Sequence, residues 1–226
     1  MRPGKSYFRI YAAIAVSLVV LIIMNLILGS VIIPVRELFA SITNNSSISY
    51  VNDILWNFRI PKVITALLAG VALSVCGLQM QTLFRNPLAD PFILGISSGA
   101  GLGVALFVMG SSAFGITMAG SIFFNLGIAA AAWAGAAGVT LLILLVSHRL
   151  KENSSLLIFG IMIGSITSAI ITLIQYFSSS SELKAFVTWT MGSFSGLTSA
   201  QIWIMSMLVF PGIVLSVYNI KELNIL

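Results

Sequence analysis

The sequence predicts an all-α protein, a polytopic bundle of transmembrane helices, and three observations carry that prediction. Hydrophobic residues fill 58% of the 226 positions and charged residues only 8%, against roughly 25% charged in a soluble domain. Mean hydropathy is +1.08. The charges are gathered in short clusters, which leaves uncharged runs at 10–35, 63–84, 91–147, 153–181 and 185–220. A spanning helix needs about 20 apolar residues, so the 57-residue run holds two spans and each of the others holds one. Six spans are expected.

The first, about residues 10 to 33, follows Arg2, Lys5 and Arg9; its 26-residue apolar run is too long for a cleaved signal core of about 7 to 15 and reads as an uncleaved helix ending at Pro34. A polar segment with one short amphipathic helix then leads to span two, about 61 to 84. That span stops at "RNPLADPF", where Asn86 and Asp90 each precede a proline and are biased away from helical conformation. Asp90 followed by Pro91 reads as an N-cap with proline at the first helical position, restarting the chain as span three. Spans four and five run from about 123 to 146 and 155 to 177, joined by "SHRLKENSS". A short external helix and a Gly/Ser loop precede span six, about 201 to 219, which Pro211 should kink.

Small residues recur at intervals of four. Gly95, Gly99 and Gly103 in span three, Ala66, Gly70 and Ser74 in span two, and Gly160, Gly164 and Ser168 in span five each share a helical face that lets a neighbouring backbone approach closely. Basic residues set the orientation. With the N-terminus inside, seven basic residues (Arg2, Lys5, Arg9, Arg85, Arg149, Lys151, Lys221) are cytoplasmic and four (Arg36, Arg59, Lys62, Lys184) are external, which favours both termini inside. The formal net charge of +5 thus reflects topology, and no nucleic-acid partner is indicated. Cys76, the single cysteine, lies inside span two as a small apolar residue, and His148 suits a helix C-terminus at the cytoplasmic surface.

Arg59 and Lys62 flank Pro61 in "RIPK". If Pro61 is the first helical residue of span two, both cations sit at a helix N-terminus that already carries about +0.5 of a charge. They then require an anion from elsewhere, either carboxylates on a partner or lipid phosphates. No ionisable residue falls near the middle of any span, which argues against a proton- or sodium-coupled carrier. No Walker loop, HExxH or GxSxG is present, so neither intramembrane hydrolysis nor intrinsic ATP hydrolysis is supported; uphill transport would take its energy from another subunit, and no cofactor is indicated for this chain.

The stretch "RIPKVITALLAGVALSVCGLQMQTLFRNPLADPFILGISSGAGLG", residues 59 to 103, resembles the permease family of ABC importers for iron-siderophore, haem and vitamin B12, the type II importer transmembrane subunits. "SSLLIFGIMIGSI" and "VTWTMGSFSG" continue the pattern, so the resemblance covers about residue 55 to the end. It implies a subunit of about ten spans in the bacterial inner membrane. Its implied partners are a cytoplasmic ATP-binding subunit, a periplasmic or lipid-anchored substrate-binding protein, a second permease copy and membrane lipids. Residues 1–226 would be one transmembrane permease domain, the N-terminal part of the family's full domain: the sequence stops at "KELNIL", where the family continues into coupling helices and four further spans, as a fragment or truncated product would. The resemblance also implies that Arg59 and Lys62 dock acidic residues of the binding protein. It places Asn153, Ser154 and Ser155 at a cytoplasmic gate, and makes Met162, Thr172 and Gln175 candidates for the translocation path, with ordinary packing an equal alternative for those three. A membrane scaffold without transport, or a secondary carrier or channel, are the competing functions.

Overall fold

In the computed structural model, residues 5–43, 49–110, 122–150, 152–194 and 196–219 are described, and every regular element among them is helical. Five helical segments are long and apolar enough to cross a membrane. The chain divides into two compact units, residues 1–72 with 193–215 and residues 73–192 with 216–226.

The first unit begins with α1, Lys5–Ile27. None of its apolar window is buried within the described residues. It ends six residues before the expected boundary, at the "LGS" break, and residues 28–33 turn back to bury Ile33. Ile33 packs with Leu38 of α2 (Val35–Ile42), Val51 of α3 (Ser49–Ile54) and Leu55. α2 is amphipathic, with Leu38 and Ser41 buried and Phe39 exposed, and the Ser41 hydroxyl donates to the Asn52 side-chain carbonyl across to α3.

The start of span two differs from expectation. α3, a π-helical turn at Leu55–Arg59 and α4 (Ile60–Phe84) form one uninterrupted helical run, Tyr50–Phe84. Pro61 is therefore interior rather than first. A proline ring clashes with the carbonyl four residues back, here Asn57, and cannot donate to it; the wider π turn that ends at Arg59 relieves both problems. At about 1.5 Å per residue, 35 residues reach about 52 Å, well beyond a hydrocarbon core of about 30 Å. The uncharged stretch 63–84 is the part that matches the core in length.

In the second unit, α4 ends in a Schellman motif: Asn86 N–H donates to Gln81 O (3.1 Å) and Arg85 N–H to Thr82 O (3.2 Å). Arg85 occupies the left-handed position, φ 47°, where glycine is usual. Asn86 Oδ1 then accepts from Leu88 N–H and Asp90 Oδ1 from Ile93 N–H, each at 2.9 Å. Asp90 thus closes a turn, not a helix. Residues 91–95 are turn, Gly95 has φ +76°, and α5 starts only at Ile96, five residues later than the Asp90–Pro91 reading predicts. A left-handed residue at 95 cannot belong to a right-handed helix, so the restart has to come after it. α5, Ile96–Gly110, stands where span three was expected, but its 15 residues rise about 22 Å, short of a hydrocarbon core of about 30 Å, and it is not among the five long segments.

Around α5 stand α6 (Ile122–Ser147) and α7 (Asn153–Tyr176). Val104, Val108, Met109 and Phe124 gather with Phe186 of α8 (Ser180–Thr190) at one end, while Phe84, Ala89, Leu94, Val139 and Ile143 gather at the other. The expected external helix is α8; it opens with a capping box in which Ser179 Oγ accepts from Glu182 N–H and Glu182 Oε2 accepts from Ser179 N–H. α9, Ser199–Tyr218, continues through Pro211, and Gln79 Nε2 donates to its Ser216 Oγ at 2.5 Å.

The glycine face of span three is divided. A Cβ on Gly103 would lie 2.1 Å from Ala131 O, and one on Gly135 2.1 Å from Gly99 O, so α5 and α6 touch backbone to backbone. Gly95 instead faces α7, where its Cβ would meet Gly160 O at 3.0 Å and Gly164 N at 3.1 Å. It differs from Gly99 and Gly103 because it lies in the turn, off the helical register. Gly138 has nothing within 4 Å of its would-be Cβ. Gly138→Ala should therefore gain up to about 1 kcal/mol of helix propensity, whereas Gly135→Ala should lose about 1 to 3 kcal/mol by forcing two backbones apart. Denaturant titration of the two variants in detergent measures the difference, and equal stabilities would contradict the backbone contact.

Candidate functional site

Why two cations stand beside Pro61 has a structural answer for one of them. The π turn brings Arg59 to the first unit's interior, 7% exposed. Its guanidinium donates from Nη1 to the Leu26 carbonyl and from Nη2 to the Val31 carbonyl. Leu26 lies in the last turn of α1, where intrahelical donors run out and the macrodipole is negative. The charge therefore meets a helix C-terminus, opposite in sign to the N-terminus that the sequence suggested, and it is buried where an exposed external cation was expected. Gly29 makes room for it, since a Cβ there would stand 2.9 Å from Nη2.

Lys62, one turn on, is exposed. With Asn25, Leu28, Ser30 and Phe58 it borders a concavity between the end of α1 and the π turn. Phe58, Trp56 and Tyr50 are all more than half exposed, an aromatic group of the kind that sits at a membrane–water interface. The concavity can take a small anionic or hydrogen-bonding group against an ammonium and an aromatic ring.

The proposed gate residues open α7. Asn153 is its first residue, with its side chain outside the described ones; Ser154 is exposed and Ser155 half-buried. On α7, Gly160 and Gly164 meet the 93–95 turn, and Thr167 is buried with its hydroxyl turned to Ile163 O and Gly164 O. Met162 and Thr172 lie off that packed face and are exposed, while Gln175 is half-buried at its edge. Thr172 Oγ1 donates to Ser168 O, which leaves its lone pairs to accept. Among the described residues no three His, Cys, Asp or Glu side chains converge as a metal-ligand set.

Sequence reasoning missed Leu26, Gly29 and Val31, which surround the Arg59 guanidinium, and Ala131 and Gly135, which receive α5. Gly29 in an otherwise bulky run and the Ala/Gly content of α6 were the available signals; neither names its partner.

The helical architecture is shared with a solved metal-chelate type ABC transporter in an inward-facing conformation, which superposes with a TM-score of 0.77 at 24% identity over 96% of this chain and 63% of that one. The vitamin B12 import system permease protein BtuC of Escherichia coli O1:K1 / APEC is 38% identical over 156 residues, 69% of this chain and 45% of that protein. BtuC of Shigella boydii serotype 18 matches to the same extent. The chain thus spans less than half the length of these curated relatives. Residues 17–226 match the model of the FecCD transport family, and the chain belongs to that family.

Proposed function

We propose that this chain belongs to the transmembrane subunit of an ATP-driven importer for a metal chelate or a corrinoid, in a bacterial inner membrane. The observation that carries the reading is the family match over residues 17–226 on a helical framework whose spans hold no Asp, Glu, His, Lys or Arg near their middle. Such a subunit hydrolyses no ATP itself. It works with a cytoplasmic ATP-binding subunit, a periplasmic or lipid-anchored binding protein and a second permease copy. Residues 153–155 serve as the cytoplasmic gate. Met162 and Thr172, on the α7 face away from α5, and Gln175 beside it face the path; iron-siderophore, haem and corrinoid remain the cargo classes.

Cells in which the complete gene is deleted should lose energy-dependent uptake of either radiolabelled cobalamin or a radiolabelled ferric chelate, and regain it from a plasmid. Undiminished uptake of all cargo classes would overturn the reading. Both termini of the 226 residues lie in the cytoplasm in this reading. A reporter active only in the periplasm should stay silent when fused after Leu226, and activity there would reverse the orientation.

Lys62 carries the docking charge for carboxylates of the binding protein. Exposed pairs contribute about 0.2 to 1 kcal/mol and a reversal replaces that attraction with repulsion of similar size, so Lys62→Glu should weaken complex formation by roughly 2- to 30-fold at low ionic strength. The deficit should shrink as salt rises, because screening removes attraction and repulsion alike. Surface-binding measurements across a salt series test this, and a loss that ignores salt would assign Lys62 to lipid or packing.

A further inference from the structure

We infer that Arg59 is a positioning residue, a C-terminal cap delivered in trans to α1 that fixes the 28–33 segment, and that Lys62 alone carries the outward charge of the pair. Only the role of Lys62 rests on the docking reading above; the capping role stands on geometry.

Three of the last four carbonyls of α1 have donors from beyond the helix end or from across the unit. Met24 O accepts from Leu28 N–H at 2.7 Å, and Ile27 O accepts from Ile33 N–H at 3.2 Å. Leu26 O accepts from Arg59 Nη1, and Nη2 takes the Val31 carbonyl in the adjoining 28–33 segment. α1 has no basic residue in its own last turn, so the cation that suits a helix C-terminus comes from 33 positions further along the chain. One guanidinium, with donors in a rigid fork, ties the last turn of α1 to the segment that buries Ile33. The π turn belongs to the same device. One extra residue per turn rotates the downstream helix by about 100°, and Arg59 is the last residue of that turn, so the bulge that accommodates Pro61 also sets the direction of Arg59. Leu26 and Ile27 of α1 pack against the Ile33 core at the same place, so the polar tie and this small apolar contact act on one helix end.

The test measures the accessibility of a thiol at position 33 in the full chain, with Cys76→Ser removing the native cysteine and Ile33→Cys placing the probe in the small core. In lipid nanodiscs, Arg59→Gln should raise the labelling rate by a water-soluble maleimide about tenfold or more, since two charge-assisted bonds are lost. Arg59→Lys, able to reach one carbonyl but not to bridge both, should fall between, and Lys62→Gln should leave the rate within about twofold of the parent. Gly29→Ala, whose methyl group would stand 2.9 Å from Nη2 and shift the end of a flexible side chain, should raise the rate by less than Arg59→Gln; in the Arg59→Gln background it should add nothing. An unchanged rate in Arg59→Gln, or full additivity of Gly29→Ala with it, overturns the inference. If Arg59→Gln fails to insert, Gly29→Ala and Arg59→Lys decide by the same rates, and parent-like labelling in both overturns it. No partner protein enters these measurements, so their failure leaves the importer reading standing, and a failure of uptake leaves the cap standing.

Discussion

A hydrocarbon solvent offers no hydrogen bonds, and that constraint shapes the helix ends of this chain. Within a spanning segment the backbone satisfies itself, but the first four N–H groups and the last four carbonyls do not. The solutions differ from end to end. α4 finishes with a Schellman motif at Arg85 and Asn86, the turn after it consumes the side chains of Asn86 and Asp90, and α8 opens with the reciprocal Ser179–Glu182 box. α1 finds local donors for the Met24 and Ile27 carbonyls and takes a guanidinium from Arg59 for that of Leu26. The charged residues of this sparsely charged sequence thus lie near where helices begin and end.

Between the ends, apolar side chains cannot choose partners by hydrophobicity, because lipid is as apolar as a neighbouring helix. Shape has to choose. α5 finds α6 because Gly99, Gly103, Ala131 and Gly135 remove the side chains that would separate two backbones, and it finds α7 because Gly95 and Gly160 do the same at the turn. Close approach raises dispersion contacts and lets Cα–H groups meet carbonyls, individually weak terms that add along a seam. The positive φ of Gly95 carries a second consequence: the turn it closes can lie flat on α7 instead of continuing α5 across it.

These two constraints leave α7 with a division of labour. Gly160, Gly164 and the buried Thr167 are committed to the bundle, while Met162, Ser165 and Thr172 point away from it, with the Ser165 and Thr172 hydroxyls donating back to their own helix. A hydroxyl so satisfied can face lipid or accept a bond from something passing, without a charge that would hold it. In the first unit, the same economy places one exposed ammonium at the lip of a concavity and buries the neighbouring guanidinium beneath it.

The all-α membrane class, the number of apolar segments and the uncharged interior were legible in the sequence because they depend on composition along the chain, and hydrocarbon thickness converts run length directly into spans. The family was legible because "RNPLADP" and its neighbours are local strings. Helix starts were less so. Pro61 and Pro91 each fit a first helical position, yet one lies inside a continuous helix and the other ahead of a turn, because proline's missing N–H is tolerated in a π turn and a tight turn as well as at a helix start. The role of Arg59 was beyond reach. A cation's sign can be read from sequence, but its counter-field depends on which helix end the fold brings to it, and Leu26 lies 33 residues away. The sequence by itself thus determined what kind of solvent the chain lives in and where its apolar segments fall, but not that the third of six expected spans would form a helix of only 15 residues. Only the tertiary structure decided which glycines touch and which of two neighbouring cations faces out, since both are settled by contacts between segments distant in the chain.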